Sequence, residues 1–185
     1  MESEKLTLYA TGSALTVALN IIAVSTVWWM HVKGTGDIGA FTTQDNGGNP
    51  YHTVCPSMMS ELVCGYLKSV QVSAVVTVIF GIVATMLYLV PFRAFSSYQT
   101  FVAVSGNACQ LTFAIMTAVL FLYFKNQYYD DDGINREYPA PDADSLTYDT
   151  SYYIWCGSAL ITTVVVGLGY FELFQRRRKN PYSVQ

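Results

Sequence analysis

The stretch SVQVSAVVTVIFGIVATMLYLVPF, Ser69 to Phe92, runs for 24 residues without a charged side chain or a histidine. About 20 consecutive, mainly apolar residues in a helix cross the hydrocarbon core of a bilayer, so this segment reads as a membrane span. Three further windows share the property: Leu6 to Met30, Ala94 to Phe124 and Thr150 to Phe171. Pro91, at the very end of the Ser69 window, is the one proline in any of them.

The composition agrees. The 185-residue chain is 52% hydrophobic and only 12% charged, against roughly 25% charged in an average soluble domain. A water-soluble helical bundle would carry a polar stripe on each helix and use helices of about 10–14 residues. A cleaved signal peptide would have an apolar core of about 7–15 residues behind a basic start, whereas the first window is longer and follows MESEK. The expected fold class is an all-α membrane protein, a four-transmembrane-helix bundle forming a single domain over 1–185. Spans are expected at about 6–30, 69–91, 98–124 and 151–171, outer loops at about 31–68 and 125–150, and a tail at 172–185.

Orientation follows from the basic residues, because Lys and Arg in short loops resist translocation. With four crossings both termini share a side. That side holds Lys5, Arg93 and the run RRRK at Arg176 to Lys179, whereas the other holds Lys33, Lys68, Lys125 and Arg136 among ten acidic residues. Both termini are therefore expected in the cytoplasm, and the basic run serves as a topology anchor able to touch anionic lipid headgroups. The inner connection PFRAFSSYQ, Pro91 to Gln99, is short enough to make the second and third spans antiparallel neighbours.

Helices associate in lipid through small residues and a few hydrogen bonds. Such residues recur at helical spacing in every span: Gly12, Thr16 and Asn20; Ala74, Thr77, Gly81 and Ala84; Ala103, Gly106, Asn107, Gln110, Ala114 and Thr117; Ser158, Thr162 and Gly169. These rows are expected to face inward. Asn20, Asn107 and Gln110 are read first as interhelical polar contacts, and in a competing reading as the lining of a permeation path. Trp28, Trp29, Tyr152, Tyr153 and Trp155 are expected in the aromatic belt at the membrane boundary.

Chemistry is sparse. The chain has no GxSxG, HExxH, CxxC or phosphate-cradling glycine loop, and both histidines, His31 and His52, fall outside the spans. No enzyme activity, cofactor, catalytic residue or resident metal is expected, nor a nucleic-acid partner. The acidic outer loop from Tyr128 to Tyr153 holds DDDG, Asp130 to Gly133, a candidate calcium motif. Setting Asp130, Asp132 and Gly133 at positions three, five and six of a calcium loop puts Tyr128 at position one and Pro139 at position twelve, a poor match. The loop reads better as a solvated acidic segment or a recognition surface, with Tyr128, Tyr129, Asp130, Asp131, Asp132 and Tyr138 as candidate contacts.

The stretch VCPSMMSELVCGYLK, Val54 to Lys68, carries two cysteines. On the outer side the compartment permits disulfides, so Cys55 and Cys64 are expected to bridge; zinc would need ligands beyond His52. Cys109 and Cys156, within spans, are expected to be free.

The whole plan resembles the claudin, peripheral myelin protein and amastin group of four-span proteins: inner termini, a large first outer loop carrying a cysteine pair (here Cys55 and Cys64), a short inner turn and a smaller second outer loop. The chain lacks that group's tryptophan signatures, because Trp28 and Trp29 stand at the end of the first span and Cys55-Pro-Ser-Met-Met-Ser contains neither tryptophan nor glycine. The resemblance implies a small extracellular antiparallel β-sheet in the first outer loop, clasped by the cysteine bridge. It also implies a function through contacts with membrane lipids, other membrane proteins or copies of itself at the plasma membrane: lateral assembly, adhesion or service as an accessory subunit. The alternative is a small channel or transporter along Asn20, Asn107 and Gln110.

Overall fold

A computed structural model describes residues 2–26, 29–32, 36–45, 50–52, 61–89, 96–130 and 146–179. Among the described residues the helices are α1 (Glu2–Ser25), α2 (Glu61–Leu89), α3 (Ser96–Asp130) and α4 (Thr150–Lys179). All four are long and apolar enough to cross a membrane, over Thr7–Ser25, Glu61–Leu89, Tyr98–Tyr128 and Thr150–Gln175. They pack in a ring in which α1 touches α2 and α4, and α3 touches the same two. The start of α1 and the end of α4 lie at one end of the bundle, where Tyr9 donates a hydrogen bond to Glu172 Oε2 at 2.8 Å.

The outward faces are apolar where those of a water-soluble protein are polar, and polar side chains share the interior with apolar ones. Outward faces carry Leu8, Leu15 and Ile22 on α1, Val72, Ile79 and Met86 on α2, Ile115 and Leu122 on α3, and Leu160, Val164 and Phe171 on α4, all exposed. The interior holds Ser13, Thr16, Asn20, Ser73, Thr77, Asn107, Gln110, Thr117, Ser158 and Thr162, none more than 2% exposed. Water would penalise that exterior, whereas lipid is as apolar as leucine and leaves packing and hydrogen bonds to drive helix association. The chain is thus a multi-pass integral membrane protein. Of the small and polar rows named above, all are buried except Gly12 and Gly106, which are half-buried.

At the end opposite the termini lies a five-stranded antiparallel sheet in the order β4-β3-β2-β1-β5. Its strands are β1 (Met30–Val32), β2 (Gly36–Ile38), β3 (Thr42–Asp45), β4 (Pro50–His52) and β5 (Leu146–Tyr148). Met30 pairs with Ile38 on one side and Tyr148 on the other. Strand side chains alternate between faces: Met30 and Ile38 are buried toward the helices, while His31 is exposed. The resemblance implied a sheet within the first outer loop. The observed sheet extends beyond it, because β5 comes from the segment just before α4.

Helix ends also depart from expectation. α1 stops at Ser25 rather than near residue 30, since its last carbonyls are taken by side chains. Ser25 Oγ donates to Ile22, and Thr26 Oγ1 and the Trp29 indole both donate to Ala23. α2 starts at Glu61 rather than 69, with an acid in the first turn where the helix dipole favours one. α3 begins at Ser96 inside the expected inner turn, and its first turn ties back to α2 as Gln99 Nε2 donates to the Leu87 carbonyl. It runs on to Asp130, because Lys125, Asn126 and Gln127 end the apolar window without ending the helix. α4 likewise continues past 171 to Lys179.

Candidate functional site: a polar centre between two aromatic caps

The centre of the bundle is assembled from one face of each helix. Gly81 on α2 lets α1 and α3 come close: a Cβ there would stand 2.6 Å from Val17 Cγ2 and 2.9 Å from Gln110 Cδ and Nε2. Through that gap hydrogen bonds run across the diagonal of the ring. Ser13 Oγ donates to Asn107 Oδ1 at 3.0 Å and lies 2.8 Å from Thr85 Oγ1. Asn107 Nδ2 in turn donates to the Tyr88 hydroxyl at 3.4 Å. One turn along α1, Gln110 Nε2 donates to Thr16 Oγ1 at 3.2 Å, and the Thr16 hydroxyl in turn donates to the Ser13 carbonyl at 2.8 Å.

A further turn along, the Ser158 hydroxyl of α4 contacts Asn20 Oδ1. Between α2 and α3, Thr117 Oγ1 approaches Ser73 Oγ at 2.9 Å and the Phe113 carbonyl at 2.8 Å. Asn20, Asn107 and Gln110 are each 0% exposed. The network therefore joins them to all four helices. Two polar atoms in it have no partner among the described residues: Asn20 Nδ2 and Gln110 Oε1.

Apolar clusters close both ends of this layer. Toward the termini, Tyr9, Ala10, Tyr88, Ala103, Val104 and Val165 pack together, with the Tyr9 and Tyr88 rings stacked 6.1 Å apart. Toward the sheet, Trp29 and Trp155 meet at 5.5 Å, and Phe121 abuts Trp29 edge-on at 5.0 Å. Tyr152 stacks on Tyr148 at 4.5 Å and leans on Phe121. This corrects the aromatic-belt expectation for two residues. Trp29 and Trp155 are 0% exposed, because each turns inward to bond a backbone carbonyl, Trp29 to Ala23 and Trp155 to Ala114 at 2.9 Å. Tyr152 is half-buried in the same cluster, whereas Tyr153 is exposed; Trp28 lies outside the described residues.

The sheet is fixed to the bundle at several points. Gln71 of α2 donates to the Ala40 carbonyl at 2.9 Å, and Asp149 N–H donates to the Trp29 carbonyl at 3.1 Å. Asp149 also begins α4: its carbonyl accepts from Tyr152 and Tyr153, and its carboxylate from Thr150 N–H. The Lys125 ammonium sits 3.9 Å from the centre of the Tyr148 ring. Burial, and then the neighbouring Tyr153 and Cys156, raise the Tyr148 hydroxyl above its ordinary pKa.

The candidate recognition residues divide. Tyr128 is half-buried against Phe124 at 5.8 Å. It belongs to α3, as do Tyr129 and Asp130, so these three are helical rather than part of a loop. Asp131, Asp132 and Tyr138 lie outside the described residues, as does most of the segment weighed for calcium. Cys64 belongs to the first turn of α2 rather than to the loop before it, and Cys55 lies outside the described residues. Cys109 and Cys156 are free.

Sequence reasoning did not find the Trp29–Trp155 contact, the Asp149 cap, the Thr117–Ser73 contact or the tie from Tyr9 to Glu172. Glu172 carried a signal as an acid immediately after the apolar window of α4, Asp149 as an acid immediately before it, and Thr117 as a member of an inward row. Comparison with protein-family models and with curated proteins finds no match.

Proposed function

We propose that the protein is non-enzymatic and works through contacts in the membrane: lateral assembly, adhesion, or service as an accessory subunit of a larger complex. One observation carries this reading. The polar interior is bonded helix to helix and closed at both ends by aromatic side chains, while the outward faces of all four helices are apolar. Such a bundle offers lipid and neighbouring helices a contact surface, and offers solvent the sheet. On this reading the termini are cytoplasmic, the membrane is the plasma membrane, and the sheet with its loops is the platform that meets partners, as the claudin-like plan implies.

Cysteine chemistry supports that platform. A bridge between Cys64 and Cys55 would staple the long loop to the first turn of α2. A loop closed this way removes roughly 2–3 kcal/mol of chain entropy from the unfolded state on the loop-closure model.

One feature favours the second reading, a permeation path along Asn20, Asn107 and Gln110: two polar atoms of that layer have no partner. The deciding experiment is native mass spectrometry of the particle extracted in mild detergent, followed by conductance measurements in planar bilayers. A mass at multiples of this chain, or one containing a second polypeptide, with no conductance, supports the contact reading. Conductance that disappears in Asn107→Leu and Gln110→Leu variants that still assemble would replace it with the channel.

A further inference from the structure

We propose that the bundle centre holds a single ordered water molecule joining Asn20 on α1 to Gln110 on α3. The inference concerns the architecture and does not depend on the functional reading above.

Both amides are completely enclosed, at 0% exposure. Each uses one of its two polar atoms: Asn20 Oδ1 meets the Ser158 hydroxyl, and Gln110 Nε2 donates to Thr16. What remains is Asn20 Nδ2, a donor, and Gln110 Oε1, an acceptor, and neither has a partner among the described residues. At membrane depth no bulk solvent can satisfy them, which makes an unmade bond there especially costly. Thr16 brings the two into register. Its hydroxyl receives the Gln110 amide, and Asn20 stands one turn further along the same face of α1. A molecule between them must accept from one amide and donate to the other. Water does both and adds no charge to an interior in which every buried polar residue is neutral.

The match survives reorientation of the Asn20 amide. The Ser158 hydroxyl also donates to the Trp155 carbonyl at 2.8 Å, so its oxygen can accept from a turned Asn20 Nδ2. That arrangement leaves two carbonyl oxygens, Asn20 Oδ1 and Gln110 Oε1, without a donor. A direct amide-to-amide bond through these atoms is then lost, but one water can donate a proton to each. Water is the one bridge that serves both orientations. Packing confines the Gln110 side, since its amide carbon and nitrogen come so close to Gly81 that a Cβ there would stand 2.9 Å from each. Asn107 supplies an internal contrast: its Oδ1 accepts from Ser13 and its Nδ2 donates to Tyr88.

The test is water-edited solid-state NMR on the full chain in lipid bilayers, with ¹⁵N in the Asn and Gln side-chain amides. Asn20→Leu and Asn107→Leu variants assign the two signals. The expected result is rapid transfer of water magnetisation to Asn20 Nδ2, several-fold stronger than to Asn107 Nδ2, and its loss in Gln110→Leu. Equal, dry behaviour of the two asparagines in the wild-type chain would overturn the proposal in favour of a direct amide contact. Strong transfer to Asn20 that persists in Gln110→Leu would overturn it in favour of a wetted path from solvent. The wild-type comparison decides by itself if Gln110→Leu fails to fold.

Discussion

Beneath the sheet, Trp29, Phe121 and Trp155 bring α1, α3 and α4 together with large rings, and each indole donates its N–H to a backbone carbonyl. Two turns deeper, Ser13, Asn107, Thr16 and Gln110 join the diagonal pair α1 and α3 with small side chains and direct hydrogen bonds. The sheet end faces the water boundary, so filling space there removes apolar surface from water and is worth a large free energy per side chain. At mid-bundle the alternative to a protein contact is lipid or another polar group, so each hydrogen bond contributes little, about 0.6 kcal/mol on average. The aromatic end should therefore supply most of the stability, and the polar centre should set which helix faces which.

The comparison can be broken most directly at the aromatic end. Trp155→Ala opens a cavity among Trp29, Phe121 and Ala114 and leaves the Ala114 carbonyl without its indole donor. A loss of about 3–5 kcal/mol is expected, read as a shift in the denaturant midpoint of the detergent-solubilised protein. A loss no larger than that of a polar substitution at mid-bundle would refute the contrast. Gly81→Ala is expected next, at about 1–3 kcal/mol, because the new methyl group meets Val17 and Gln110 at under 3.0 Å. Gly167→Ala, where a Cβ meets nothing within 4 Å, is the matched control and should be near neutral.

Asn107→Leu sharpens the other half. It removes the acceptor for Ser13 and the donor to Tyr88 while keeping the branched outline of the side chain, and should cost about 0.6–1.7 kcal/mol. Its distinctive effect should be on specificity. Cysteine cross-linking between α1 and α3 at engineered pairs should spread over several registers in Asn107→Leu while remaining in a single register in Trp155→Ala. A single register in both would assign the pairing of α1 with α3 to shape alone.

How much of this was legible depends on what kind of signal each feature leaves. The spans could be read because the absence of charge over some twenty residues is a local property, and the inward rows because small and polar residues repeat at the helical period. Helix boundaries could not, because charge marks where lipid ends and not where hydrogen-bonded turns end. Glu61 and Lys68 lie in the first two turns of α2, which continue straight into the apolar segment, and Lys125 sits within α3. Trp29 and Trp155 were misread because a tryptophan in a lipid-facing belt and one in an enclosed cluster occupy the same depth and carry the same sequence signal. β5 was unreadable for a different reason. Three residues, Leu146 to Tyr148, have no pattern of their own and become a strand only by pairing with β1, far away in the chain.

The smallest expected effect tests whether β5 belongs energetically to the aromatic end. The Tyr148 hydroxyl is raised above its ordinary pKa chiefly by burial, so the folded state favours the protonated form. Linkage then gives the sign: this contribution is fully present below the unfolded value, about 10, and is lost as pH rises through the higher folded value. Stability should therefore be insensitive to Tyr148 at neutral pH and fall more steeply above pH ~10 in the wild-type chain than in Tyr148→Phe, which keeps the ring stacked on Tyr152 and beneath Lys125. Tyr153 and Cys156 lie nearby, and both are retained in the variant, so the difference between the two curves isolates the one hydroxyl. Coincident curves would mean that β5 opens before Tyr148 ionises, and the aromatic end would then comprise the two tryptophans and Phe121 without the sheet's last strand.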